Sequence, residues 1–140
     1  MNKELKQKID EVVANIANIG TEEGKAENDR LMNEAFALAA TPEDKKEAGA
    51  YLQFAIRNRK RSDVQPRTLL GDAADALSLS YIAKEYFGKG RSWLYQRLNG
   101  CTVNGKPAAF TQNELTVLAG SLKDLSQRLS EISSNIAASI

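Results

Sequence analysis

Residues 88–100 read Gly-Lys-Gly-Arg-Ser-Trp-Leu-Tyr-Gln-Arg-Leu-Asn-Gly, a run rich in hydrogen-bonding side chains and empty of nucleophile–base pairs. Leu94 and Leu98, four apart, mark the buried side of a short helix, which turns Arg91, Ser92, Tyr95, Gln96 and Asn99 outward. Lys89 stands in the turn before it. Such a set binds anionic oxygens and planar donor–acceptor edges, since Arg can grip two acceptors and Gln or Asn can pair a donor with an acceptor. A helix start adds free backbone N–H groups that attract phosphate. A second basic set, Arg57, Arg59, Lys60 and Arg61, closes an upstream helix. It suits phosphate binding, and equally the preference of cations for a helix C-terminus.

The residues that are missing narrow the chemistry further. The 140-residue chain has no histidine and one cysteine, Cys101, which excludes Ser-His-Asp and Cys-His machinery, a Cys/His zinc site and an internal disulfide. It has no phosphate-loop motif and no dinucleotide fingerprint. No constellation of carboxylates, Lys and Tyr stands out, so the expectation is a protein that is not an enzyme, with no cofactor, metal or small-molecule ligand. The charged start, MNKELKQKID, has no apolar signal region, and no run approaches a membrane span. Together with the single cysteine, this predicts a soluble protein of the cytoplasm.

Net charge is only +1, but it is unevenly spread. Residues 1–56 carry 7 basic and 11 acidic side chains, residues 57–106 carry 10 and 4, and residues 107–140 carry 2 and 3. The positive charge is thus central, around the candidate residues, and points weakly to an anionic partner.

The elements that must position these residues are helical. Leu5, Ile9, Val12, Val13, Ile16 and Ile19 repeat at helical spacing. Thr21 starts a second helix with Leu31, Met32, Ala35, Phe36 and Leu38 on one face, its first turn weakened by Gly24. Thr41-Pro42-Glu43-Asp44 starts a third, predicted to run to about Arg61 with Ala48, Tyr51, Leu52, Ala55 and Ile56 inward. Ser62-Asp63 and Pro66 mark a joint. A short helix is predicted over 67–77, with Leu69, Leu70, Ala74 and Leu77 inward. Another follows Ser78 or Ser80, with Leu79, Ile82, Ala83 and Tyr86 inward, and breaks at Gly88-Lys89-Gly90. Val103-Asn104-Gly105-Lys106 reads as a turn or small wing with Lys106 at its tip. Phe110-Thr111-x-x-Glu114 reads as a staple and capping box. It opens a long helix whose Leu115, Leu118, Leu122, Leu125, Leu129, Ile132 and Ile136 form a heptad-like seam. The charge-poor end of that helix, from Ser133, is expected to fray.

Two short helices around a glycine turn resemble the Cro and lambda-repressor class of helix-turn-helix. That class often reads Ile-Ala, several helical residues, Gly, then a Ser/Arg-rich second helix ending Leu-Asn-Gly. Ile82-Ala83, Gly88, Arg91-Ser92 and Leu98-Asn99-Gly100 fall on that pattern, and residues 110–122 fit the helix that follows in such domains. The block RSWLYQRLNG, with Val-Asn-Gly-Lys-Pro and the Phe-Thr helix start, is also similar to a family of small uncharacterised bacterial proteins over about residues 78–130. Three features depart from the repressor pattern: one extra residue before the glycine, Arg97 where an apolar residue is common, and Trp93 where a small exposed one is common. A tryptophan at that place is more often packed against a neighbour than laid on DNA.

These readings predict an all-α helical bundle with a helix-turn-helix in the C-terminal half and a long C-terminal helix. Residues 1–62 form an N-terminal helical region, and residues 63–140 the helix-turn-helix domain. The expected function is duplex DNA binding by a small regulator or mobile-element accessory protein. Its contacts are Lys89, Arg91, Ser92, Tyr95, Gln96 and Asn99, helped by Arg57, Arg59, Lys60 and Arg61. The resemblance further implies a homodimer, here through the C-terminal helix. The alternative is a protein–protein interaction module on the same scaffold without DNA.

Overall fold

Side-chain caps set most of the helix starts. Asn2 accepts from the Leu5 N–H at 2.7 Å and opens α1 (Lys3–Ala14). Thr21 accepts from the Gly24 N–H and opens α2 (Glu22–Leu38), and Thr41 accepts from the Asp44 N–H and opens α3 (Pro42–Arg57) with Pro42 in its first turn. The computed structural model describes all residues 1–140, an all-α architecture in which the only strands are a two-residue pair. It divides into two units, Met1–Arg59 and Lys60–Ile140.

The first unit is a three-helix assembly. Leu5 and Ile9 of α1, Ala35 of α2 and Ala39 just beyond it form its buried centre, with Val13, Leu38, Ala48, Tyr51 and Leu52 around them. The corner between α1 and α2 is tight. Asn15 is buried there and donates from Nδ2 to the Gly24 carbonyl at 2.9 Å. Gly24 is itself buried and capped by Thr21, so the glycine that was expected to weaken this turn is instead where it closes on the preceding one. Lys8 ties α1 to α2 through Glu34 at 2.8 Å.

Other expectations fail in this unit: α1 ends at Ala14, short of Ile16, and Ile19 is exposed. Met32 and Phe36 share a face with Leu31 and Ala35, but Phe36 is 67% exposed. The reason lies in α3, which has no fully buried residue and leaves an open apolar groove of about 180 Å³ beside Met32, Phe36 and Leu52. Helix α3 also ends at Arg57, four residues early, because Asn58 turns back to donate from Nδ2 to the Phe54 carbonyl.

The second unit begins with α4 (Pro66–Leu70), followed by a 3₁₀ turn over Gly71–Ala76. Gly71 at φ 55° interrupts what was predicted as one helix. Ala74 is buried and Leu70 and Leu77 face the core, but Leu69 points outward. Ser78 caps α5 (Leu79–Ile82), which continues as a π-helical turn over Ala83–Phe87. Next come α6 (Arg91–Asn99) and a hairpin of β1 (Thr102–Val103) and β2 (Lys106–Pro107). Asn104 and Gly105, both at positive φ, form the hairpin tip, which moves Lys106 from the predicted tip into β2. Helix α7 (Gln112–Ser139) starts on a complete capping box between Thr111 and Glu114, and stays helical to Ser139 instead of fraying from Ser133.

The core of this unit is Ile82, Ala83, Leu94, Leu98, Phe110 and Leu118, with Leu77, Leu79, Tyr86, Phe87, Trp93, Leu115 and Leu125 packed on it. Phe110, the staple residue, is its largest fully buried side chain.

Candidate nucleic-acid interface

The candidate surface is built where α5 meets α6. Ala83 has no solvent exposure, and its small side chain lets the two helices approach at Leu94. The chain then reverses at Gly88, whose φ of 63° is strained for any residue with a Cβ. A π turn over Ala83–Phe87, which holds one more residue than a regular helical turn, leads into this glycine.

The position before α6 is Gly90, which has no side chain and so leaves the first-turn amides uncapped. Around this open end stand Lys89, Arg91 and Ser92, all exposed, and neither cation is in a salt bridge. One turn on, Tyr95 is exposed and the Arg91 guanidinium lies 5.5 Å from its ring centroid. Gln96 is half-buried. Asn99 is exposed at the far end, where its Nδ2 donates to the Tyr95 carbonyl at 2.9 Å and so extends the helix's own bonding. Lys89, Arg91, Ser92 and Tyr95 therefore lie together, a positive surface over free N–H groups.

The opposite side of α6 belongs to the core. Trp93 packs on Phe87 and Phe110 at centroid distances of 5.0 and 5.9 Å. Arg97 lies over the Trp93 ring at 4.4 Å and donates to the Trp93 carbonyl, while its Nε is buried with no hydrogen-bond partner. The tryptophan and the arginine thus pack together on the core side of the helix. Leu94 and Leu98 signalled that face in the sequence. The packing of Trp93 agrees with its expected role, but its partners were not readable locally, because Phe110 arrives from beyond the hairpin.

The second basic set does not stay together. Arg57 is exposed and Arg59 half-buried at the end of the first unit, while Lys60 and Arg61 begin the second. Arg61 is fully engaged. Its N–H donates to the Phe110 carbonyl at 2.8 Å, and its guanidinium holds Asp63 and reaches Gln112. The Asp63 carboxylate holds the guanidinium pKa above its ordinary value. Lys60 bridges to Thr111 and leans toward the Ala109 carbonyl at 3.4 Å. Lys60 and Arg61 thus fasten the chain to the start of α7.

Residues 67–136, half of the chain, match a protein family described as a domain of unknown function (DUF5053). The chain belongs to that family. The DUF5053 segment runs from α4 into α7 and includes the whole α5–α6 corner, while Arg57, Arg59, Lys60 and Arg61 lie outside it. The family description assigns no function. No curated protein and no solved structure matches the chain.

Proposed function

We propose that the chain binds duplex DNA through the start of α6, as a helix-turn-helix regulator of the Cro and lambda-repressor kind. The carrying observation is that α6 opens on an uncapped turn with Lys89, Arg91 and Ser92 exposed around it and free of acidic partners. Phosphate is the natural ligand for such an end, and Arg91, Gln96 and Asn99 supply side chains that read base edges. Tyr95 adds an apolar ring with a hydroxyl. Trp93 takes no part, being packed on Phe87 and Phe110. Of the basic cluster, Arg57 and Lys60 are exposed cations. A half-buried, unpaired Cys101 is in keeping with a reducing cytoplasm.

Fluorescence anisotropy with random-sequence duplexes tests this. Binding should weaken linearly on a log–log plot of affinity against salt. Arg91→Ala and Gln96→Ala should each reduce affinity by about 3- to 30-fold, with unchanged thermal midpoints. No detectable binding at low ionic strength, or a flat salt response, rejects the reading.

A protein-interaction module is the second reading. It is favoured by the open apolar groove of the first unit, where Phe36 stands beside the gap.

A further inference from the structure

We propose that α7 pairs antiparallel with α7 of a second copy, through a seam that shares only Leu115 with the residues that serve its own core. This goes beyond the DNA-binding reading and does not depend on it.

The heptad stripe read along α7 is two stripes. Leu118 is buried and Leu115 and Leu125 pack on the same core, so these positions face their own unit. Leu115, Leu122, Leu129 and Ile136, seven apart, form a neighbouring line with Ala119, Ser126 and Ser133 interleaved. From Ser126 onward every side chain is exposed, with Leu129 at 65% and Ile136 at 59%. Beyond Leu125 the large apolar residues of this line have nothing against them, and that part of the helix is under-partnered.

The line continues into a built groove. Leu115, Leu118, Ala119 and Leu122 of α7, with Val64, Pro66, Leu69 and Leu70, enclose an apolar channel of about 360 Å³ whose outer wall, Leu69, is itself exposed.

The occupant that fits is the same helix reversed. Turned antiparallel, Leu122 meets Ser133, Leu129 meets Ser126 and Ile136 meets Ala119, so that a large residue lies over a small one in each of these layers, in both halves of the two-fold. Ile136 of the second copy then enters the channel beside Ala119 and covers Leu69. The line carries no charge between Leu115 and Ile136, so no like-charge pair opposes the match. A parallel pair would instead stack Leu129 on Leu129 and Ser126 on Ser126, leaving gaps at the serines. The seam is about 32 Å long, and two helices in contact over that length hide roughly 1,200 Å² together, which reaches the range of specific dimers.

Sedimentation of the full chain at about 100 μM tests the pairing. The expected mass is twice 15.3 kDa. Leu129→Glu should return it to the single-chain value with unchanged helix content, since Leu129 supports no core, while Gln127→Glu on the far face should leave the dimer intact. In a Cys101→Ser background, copies with Leu122→Cys mixed with copies with Ser133→Cys should cross-link at least fivefold more than either alone. A single-chain mass for the natural sequence, or a dimer untouched by Leu129→Glu, overturns the proposal. Preferential cross-linking of like positions overturns the antiparallel register.

Discussion

Gly24 occupies a place where a methyl has no room: a Cβ there stands 1.7 Å from the Asn18 carbonyl oxygen. Asn18 is backbone-bonded to Thr21, so the obstruction does not swing aside. Gly24→Ala should therefore destabilise the first unit by about 2–4 kcal/mol, against a gain of only about 1 kcal/mol from a stiffer unfolded chain. Urea denaturation followed by circular dichroism measures it, and an unchanged midpoint would contradict the geometry. Protonation makes a second residue-scale case. The hydrogen bond from Tyr86 to Asp124 raises the Tyr86 pKa above its ordinary value, and that from Tyr51 to Asp10 does the same for Tyr51. A raised folded-state pKa gives stability that is complete below the unfolded tyrosine value and lost as pH rises through the folded one. Glu34 and Glu27 are held low, by hydrogen bonds from Lys8 and Arg30 respectively, so their contribution fades as pH falls below the usual carboxylate range. Urea midpoints should thus fall at both ends, and the alkaline fall should flatten in a Tyr51→Phe/Tyr86→Phe double variant.

Among the elements, those set by neighbouring residues were readable. Thr41-Pro42, the Thr111–Glu114 box and the Gly88 break each act within one turn, and each lies where the sequence placed it. What escaped depends on distant partners. Met32 and Phe36 have the right spacing for a core face, but their burial required an α3 that packs more closely than it does. Trp93 reads as a packed residue from the sequence, but its partner Phe110 lies across a hairpin and does not show there. Arg57, Arg59, Lys60 and Arg61 looked like one patch because they are adjacent in sequence, yet the backbone of Lys60 and Arg61 is drawn to the start of α7. Arg61→Ala separates these roles. It should lower the stability of the second unit by about 1–3 kcal/mol through lost charged hydrogen bonds, while DNA affinity at low salt changes by less than about twofold. A large affinity loss with an unchanged melting midpoint would restore Arg61 to the binding surface.

Across the whole molecule, each unit has its own apolar centre, and charge divides with them. Met1–Arg59 carries 9 basic and 11 acidic side chains, while Lys60–Ile140 carries 10 and 7. The uncapped end of α6 lies in the positive unit, so residues 60–140 alone should fold and keep DNA binding. Their affinity should fall no more than about fivefold, with a salt slope shallower by no more than about one unit. Complete loss of binding by a folded fragment would move the function to the first unit.

The π turn between Ala83 and Gly88 has a bearing on how the chain tolerates changes in length. An added residue in an ordinary helix rotates everything beyond it by about 100°. Here the surplus is taken up in one widened loop of backbone, so Ala83 keeps its crossing with Leu94 and Gly88 its reversal. Removing one residue from Lys84–Tyr86 would tighten that loop to regular pitch without re-aiming the polar side of α6. This corner is a slack joint, where the loss of one residue leaves the surface beyond it in register.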